Sequence, residues 1–298
     1  MTDATPKVVV STVCDDDFEP GFVVLVATLL AHNPWFDHEI RVISTPDAYP
    51  LSTATRERML ARYPNTTFHD VDLSTYEPLI AQGDHRARFL PAFAKLEAFG
   101  FTDADRVIAL DLDMMVMGDV SELVACTDAF NSVEAEHVDG GKRGFPHGAV
   151  FVINRDNLTG ERYDAMLHTT FSPDNPCPRA ADQAVLWEHF GRAREHISLD
   201  PRFNVVRGLF PAETGDLVAN LQAVDARIFH VGGKKPWFGG ASARRWAQSE
   251  ALWLETYLTL VDRADLARML EIRRRRQGVP HPLRQNSNST PSTARHSR

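Results

Sequence analysis

Cysteine is scarce in this chain: Cys14, Cys126 and Cys177 are the only three among 298 residues, and no two stand in Cys-x-x-Cys spacing. An odd, scattered set excludes a disulfide framework and suits a reducing compartment, so a cytoplasmic location is expected. Long apolar runs are missing as well. The longest, Phe22 to Ala31, falls far short of the ~20 residues that span a bilayer, and no basic leader precedes it. Neither membrane spanning nor secretion is expected. Excess positive charge is also absent: the formal charge is −8, and because residues 273–298 carry seven arginines and no acid, the remaining body carries −15. Such a body repels nucleic acid and other polyanions, which excludes them as partners. No internal repeat is visible.

What is present is an ordinary globular composition, 43% hydrophobic and 24% charged. That is enough for one large core. The run Lys7-Val-Val-Val10 reads as a buried parallel strand, because continuous apolar character requires cover on both sheet faces. Asp15 to Pro20 then forms a loop and helix start, with acids suited to the helix dipole, and the helix stops before Asn33-Pro34. A strand at Glu39–Ile43, a helix at Ser52–Arg62 and a strand at Thr67–Val71 follow. This βαβαβ order predicts an α/β fold with a parallel, helix-covered sheet. Phe93, Leu96 and Phe99 recur at helical spacing, leaving Lys95 off their stripe. Gly148–Asn154 reads as another buried strand, Arg179–Phe190 as a helix, and a further helix carries Trp246 and Trp253. The body is expected to span 1–262, followed at 263–298 by a basic helix and a tail too polar to build a core, hence disordered.

Two segments carry the chemistry. The apolar stretch Val107–Leu110 runs straight into Asp111-Leu112-Asp113, and much later comes His230-Val-Gly-Gly-Lys-Lys-Pro-Trp237. Side chains alternate along a strand, so two acids one residue apart point the same way at its carboxyl end, where open α/β sheets bind ligands. Two carboxylates and an imidazole suit a hard divalent ion, Mn²⁺ or Mg²⁺, shared with phosphate oxygens. The glycine pair lets backbone approach a phosphate, and a lysine supplies a point charge. The inferred ligand is a metal-bound diphosphate.

Over roughly residues 7 to 240 the chain resembles the glycosyltransferases of family 8, the GT-A group that includes glycogenin and bacterial lipooligosaccharide galactosyltransferases. The match lies at Asp111, Asp113, His230, Gly233, Lys235, Pro236 and Trp237. The resemblance implies a GT-A type, Rossmann-like, mixed but mainly parallel sheet with helices on both faces. It also implies a nucleotide-sugar-dependent catalytic domain over 1–262. Its activity would be retaining transfer of a sugar from a nucleotide diphosphate, expected to be UDP, to an acceptor hydroxyl on a glycan, lipid-linked sugar or protein. Asp111, Asp113 and His230 would hold Mn²⁺ or Mg²⁺, with Lys235 and the Gly233 backbone on the phosphates. Thr12, Cys14, Asp15 and Phe18 would meet the base and ribose. Lys95, which precedes Asp111 by 16 residues as a donor-facing lysine does in glycogenin, would face the donor together with Leu112. Asp182 and Gln183 match the Asp-Gln pair near the anomeric carbon, and Asn204 a sugar- or acceptor-region asparagine.

The chain also departs from that pattern. His147 stands where many family members carry an asparagine that touches the donor sugar, and it would suit a different hydroxyl or a carboxylate. Arg179 stands in place of a sugar-contacting acid, and a guanidinium favours an anionic sugar or acceptor. The loop from His230 to Lys235 is one residue shorter than in glycogenin. These departures keep a non-catalytic nucleotide-sugar-binding module as an alternative. Ile108 to Asp113 also resembles the nucleophile strand of haloacid dehalogenase-type phosphatases, although Met114 and Met115 replace the residues that normally follow. The Arg273–Arg276 run reads as solvated, with peripheral contact to an anionic membrane as the sharper alternative.

Overall fold

Strands that are apolar on both faces must be covered on both, and this requirement organises the chain. The computed structural model describes residues 5–46, 49–81, 90–135, 144–172, 181–210, 215–239 and 246–278. Arg179, Cys177 and the segment after Gly278, expected above to be disordered, lie outside them. Among the described residues the strands are β1 (Val8–Val13), β2 (Glu39–Ser44), β3 (Thr66–Asp70), β4 (Arg106–Leu110), β5 (Met114–Val116), β6 (Phe130–Glu134), β7 (Pro146–Asn154), β8 (His196–Ser198), β9 (Val205–Val206) and β10 (Ile228–His230). A seven-stranded sheet runs β3-β2-β1-β4-β7-β6-β8, and a small one runs β5-β10-β9. In the large sheet β7 is antiparallel to β4 and β6, and the other pairings are parallel. The architecture is the expected mixed, mainly parallel α/β sheet.

Alternation sorts each central strand onto two cores. Val8, Val10, Ile108, Leu110, Val150 and Val152 face the helices Glu19–His32 and Thr53–Arg62. Val9, Val107, Ala109, Phe151 and Ile153 face Phe93, Phe99, Met166 and Phe190 on the opposite side. Helix Glu19–His32 is buried on nearly every side because it also packs against helix Ala247–Leu260. Its acidic start is tied down by Glu19, which accepts from Arg58 at 2.5 Å and from Arg268. Helix Thr53–Arg62 is capped by Ser52, whose hydroxyl accepts from the Thr55 amide at 3.4 Å, and it ends ahead of Pro64. The segment expected as one helix from Pro91 divides into Leu90–Ala94 and a tighter 3-10 stretch, Lys95–Gly100. That tightening turns Lys95 inward, to 7% exposure.

The C-terminal helix Arg263–Gly278 folds back onto the body, so its arginine run is not a free solvated arm. Met269 and Ile272 are buried in a third cluster with Trp237, Trp253 and Tyr257. Arg273 donates to the Pro236 carbonyl at 2.9 Å, and Arg275 and Arg276 pair with Asp17. Full burial of such side chains contributes about 1.5–3 kcal/mol each, whereas exposed ion pairs contribute roughly 0–1. The two apolar residues therefore anchor the helix, and the arginines set where it lies. Among the described residues no helix is long and apolar enough to cross a membrane.

Candidate active site

The acidic pair is not part of a strand. β4 ends at Leu110 and β5 begins at Met114, so Asp111-Leu112-Asp113 forms the link between them. The expectation that strand alternation aligns the two acids is corrected: the turn from one sheet into the other does so. β5 then pairs antiparallel with β10, setting His230 opposite Met114, and the Val231 amide donates to the Asp113 carbonyl at 2.9 Å. This register carries His230 to the acids across the intervening chain. One ligand atom each from Asp111, Asp113 and His230 lies within 4.8 Å of the others. Two carboxylates and an imidazole make a donor set suited to a hard divalent ion such as Mn²⁺.

Each carboxylate has its own lysine. Asp113, 2% exposed, accepts from Lys235 Nζ at 2.5 Å and lies 3.4 Å from His230 Nε2. Burial alone would push its carboxyl up, but His230 and Lys235 override this and hold it well below the usual carboxylate range. Lys95 Nζ lies 2.6 Å from Asp111 Oδ1 and 3.3 Å from Asp182 Oδ2, and it donates to the Gly148 carbonyl at 2.7 Å. Burial would lower the Lys95 ammonium, yet Asp111 and Asp182 raise it above its ordinary value. Asp182 itself is pushed up, first by burial and then by Asp111, against the pull of Lys95. Asp182 opens helix Asp182–Leu186 but does not cap it; that position belongs to Ala181, held at φ 44°. Gln183 follows, half-buried, on the same first turn.

Gly148, which the sequence did not single out, makes this cluster fit. A β-carbon there would lie 2.2 Å from Asp182 Oδ2. Gly148→Ala is therefore expected to displace Asp182 from Lys95 and cost about 1–3 kcal/mol, read as a lowered midpoint in thermal unfolding. An unchanged midpoint would show that the carboxylate moves aside freely.

A chain of fixed protons orients the two histidines. The Ala149 backbone N–H can only donate, and it points at His147 Nδ1 at 3.2 Å. That nitrogen therefore holds a lone pair, and the proton of His147 is on Nε2. Asn204, 1% exposed, also donates to His147 Nδ1, at 3.2 Å, while its Oδ1 accepts from His230 Nδ1 at 2.9 Å. His230 thus carries a proton on Nδ1, and Nε2 is the nitrogen that faces Asp113. Second-shell groups commonly orient metal-binding imidazoles in this way. Burial, His230 and Lys95 together pull the His147 pKa down to about 3. Asn204 thus uses both ends of its amide inside the protein, holding rings in place.

The glycine turn lies beside this cluster. Gly232 and Gly233 are consecutive left-handed residues at φ 58° and 55°, a conformation that side chains resist. Beyond them Lys235 reaches back to Asp113, and Trp237 is fully buried among the third core cluster. Trp237 and Phe238 hold Phe18 edge-on at 5.5 and 5.4 Å. This couples the Gly-Gly-Lys-Lys-Pro-Trp segment to the loop expected to meet a base. Thr12 at the end of β1 and Cys14 just beyond it are buried, and in the loop Asp15 accepts from the Asp17 and Phe18 amides at 2.8 and 2.9 Å. Burial, then Asp17, push Asp15 up to about 6. Asp16 turns away to Ser52 and Thr55, and Asp17 to the terminal arginines. Leu112 is a core side chain packed under helix Glu19–His32.

Two features escaped the sequence reading. Arg207 is a buried cation next to Gly233, where an added β-carbon would come 3.3 Å from its Nη2. Nothing in Val-Val-Arg-Gly marks it as special. The docking of Arg275 and Arg276 on Asp17 was likewise not visible, although the surplus of acids at 15–17 facing a chain end rich in arginine offered a charge signal.

The fold is shared with solved glycosyltransferase structures. The galactosyltransferase LgtC, in complex with donor and acceptor sugar analogues, superposes with a TM-score of 0.62 at 17% identity, over 87% of this chain and 99% of that one. The bifunctional glycosyltransferase WbbM gives 0.61 at 16% identity, over 93% of this chain and 53% of the other. The glycosyltransferase GlyE of Streptococcus pneumoniae TIGR4 gives 0.59 at 19%, over 90% of this chain and 63% of the other. The mixed sheet described above is thus the GT-A type. No protein-family model and no curated protein matches the sequence.

Proposed function

We propose that this chain is a glycosyltransferase that moves a hexose-type sugar from a nucleotide diphosphate, UDP, to an acceptor hydroxyl with retention of configuration. The observation that carries this reading is the convergence of Asp111, Asp113 and His230 within 4.8 Å beside Lys235 and a left-handed glycine pair. Those three residues would hold Mn²⁺ or Mg²⁺. When bound, the ion supplies Lewis-acid stabilisation of the leaving diphosphate. Lys235 would offset the charge that builds on the leaving diphosphate as its bond to the anomeric carbon breaks. The Gly232–Gly233 backbone lets the phosphates approach closely.

Asp182 and Gln183 serve the sugar side of the site. Lys95 opposes the upward push of burial on the Asp182 carboxyl and lies against Asp111. His147, neutral with its proton on Nε2, offers a donor to a sugar hydroxyl rather than a cation to a carboxylate. A neutral hexose therefore fits better at this position than a uronic acid. Thr12, Cys14, Asp15 and Phe18 form the base and ribose end.

The reading is tested by thermal unfolding with Mn²⁺ and UDP, GDP, ADP and their glucose, galactose, N-acetylglucosamine and glucuronate conjugates, since a ligand that binds only the folded state raises its midpoint. A metal-dependent rise with one conjugate fixes the donor. No rise with any nucleotide sinks the proposal, and binding without turnover on any acceptor leaves a binding module. Asn204→Leu removes the partner that fixes His230. It is expected to weaken Mn²⁺ affinity roughly 10–100-fold, measured by titration of the nucleotide-free protein, while the far-ultraviolet circular dichroism stays as in the parent. Unchanged Mn²⁺ affinity would show that packing alone orients His230.

A further inference from the structure

Arg207 opens the 3-10 turn Arg207–Leu209 directly after β9, and it carries a cation that the site described so far does not use. The residue is 7% exposed. Burial holds its guanidinium below the ordinary arginine value. Among the described residues its Nη1 has no hydrogen-bond partner, and Nη2 reaches the Lys234 carbonyl only at a long 3.4 Å. The guanidinium lies 4.9 Å from the centre of the Trp246 ring. No carboxylate pairs with it among the described residues. The other buried cation of the site is matched: Lys95 by Asp111 and Asp182. Lys235 has Asp113. A buried guanidinium without a counter-ion is costly to fold around unless an anion completes it.

Its position says where that anion would sit. A β-carbon on Gly233 would come within 3.3 Å of Nη2. Only glycine backbone therefore separates Arg207 from the Gly232–Gly233 turn. Arg207, Lys234 and Lys235 gather around this turn, Glu250 and Asp113 act on Arg207 only without an ion pair, and commitment of Asp113 to a divalent ion would remove one of those two acids. Arginine is also the cation best matched to the paired oxygens of phosphates and carboxylates.

We infer that Arg207 is an anion-binding residue that acts at the Gly232–Gly233 turn on the oxygens of a phosphate or carboxylate group. This rests on the donor-site reading above and extends it. Two sources offer that chemistry: the diphosphate of the nucleotide, or an anionic group on the acceptor. The full-length, Mn²⁺-loaded protein distinguishes them by calorimetric titration at constant ionic strength, comparing the parent with Arg207→Met and Arg207→Gln. The glutamine variant keeps a donor for the Lys234 carbonyl without the charge, and it serves if the methionine variant does not fold.

If the diphosphate is the source, the variants bind UDP roughly tenfold more weakly or worse, with uridine affinity unchanged. If the acceptor is the source, UDP affinity is unchanged. Inorganic phosphate or methyl glucuronide then binds saturably to the parent's UDP–Mn²⁺ complex and no longer binds to the variants' complex. Either result supports the inference. A folded variant with both sets of affinities unchanged overturns it and leaves Arg207 as a structural cation stacked near Trp246. Failure of the parent to bind UDP would instead remove the donor-site reading on which the inference stands.

Discussion

Asp113→Asn is expected to abolish metal-dependent donor binding and to weaken the metal-free protein at the same time. The carboxylate is buried, accepts from Lys235 at 2.5 Å and lies 3.4 Å from His230 Nε2. An asparagine keeps the shape, removes the negative charge and presents an N–H₂ donor or a weaker oxygen to a cation. Because even an outer-shell change costs roughly 10–100-fold in metal affinity, loss of a ligand should exceed that range. In the metal-free state Lys235 loses its counter-ion. Breaking a buried pair costs about 3–5 kcal/mol, but the Lys235 side chain is 21% exposed and can turn to water, so the lower end applies. The sign of the pH dependence follows from the depressed Asp113 carboxyl. Its contribution is present above the unfolded value near pH 4 and is lost as pH falls through the folded value. Unfolding in EDTA should therefore show parent and variant drawing together below about pH 4 and separating above it. A variant with parental Mn²⁺–UDP binding would remove Asp113 from the metal site.

The candidate metal site was legible because its parts are local: an apolar run ending in Asp-x-Asp, and an imidazole followed by glycines, lysine and Pro-Trp. Their chain order carried enough information to group them before any contact was known. The acidic pair is nevertheless not aligned by strand alternation. Strand alternation assumes that the strand continues, and nothing in Leu110-Asp111-Leu112 announces that the chain leaves one sheet there and joins another at Met114. The helix around Phe22 was readable from apolar content bounded by Pro20 and Pro34, and the one around Met59 from its stop at Pro64. Lys95 was harder, since a 3-10 stretch turns its side chains by a different angle from the α-helix that the spacing of Phe93, Leu96 and Phe99 suggests. Asn204 and Arg207 flank a strand of two residues, Val205–Val206, too short to carry any periodic signal. Their roles arise only when β9 pairs with β10 and sets them beside His230 and Gly233.

Coupling between the two ends of the proposed donor site has a visible physical route. Phe18 packs edge-on against Trp237 and Phe238, Arg276 lies 4.8 Å over the Phe238 ring, and Arg275 and Arg276 hold Asp17. The base-side loop, the phosphate-side segment and the terminal helix therefore share one set of contacts. This also explains why an arginine run that composition alone assigns to solvent is folded against the body. Its charge meets the acids at 15–17, while Met269 and Ile272 supply the apolar anchor.

Lys95→Met should produce the second large effect, again with a gap that widens as pH rises, but over the range above about pH 4 where Asp113→Asn has already reached its full cost. Methionine fills much of the lysine's volume, so the change is chiefly one of charge and of the donor to the Gly148 carbonyl. Asp111 and Asp182 would then share a buried site with no cation between them. The Asp182 carboxyl, already raised by burial and by Asp111, loses the largest influence that opposes the rise, leaving only its bond from the Gln183 amide. Its folded pKa moves further above the unfolded value near 4. A group raised in this way favours the folded state fully below its unfolded pKa, and that advantage is lost as pH climbs from there through the folded pKa, the range in which the folded protein holds a proton that the unfolded chain has released. In EDTA the variant should lie about 3–5 kcal/mol below the parent near pH 7.5. It should recover up to about 1.4 kcal/mol for each pH unit of acidification while Asp182 takes up its proton. Unfolding midpoints at pH 5 and pH 7.5, parent beside variant, give the answer. A gap that stays constant between the two pH values would mean that Lys95 acts only by packing and by its bond to Gly148, and that the Asp182 carboxylate does not depend on it. A gap that widens toward neutral pH, together with loss of turnover on a donor the variant still binds, would place Lys95 as the residue that keeps Asp182 charged beside the sugar.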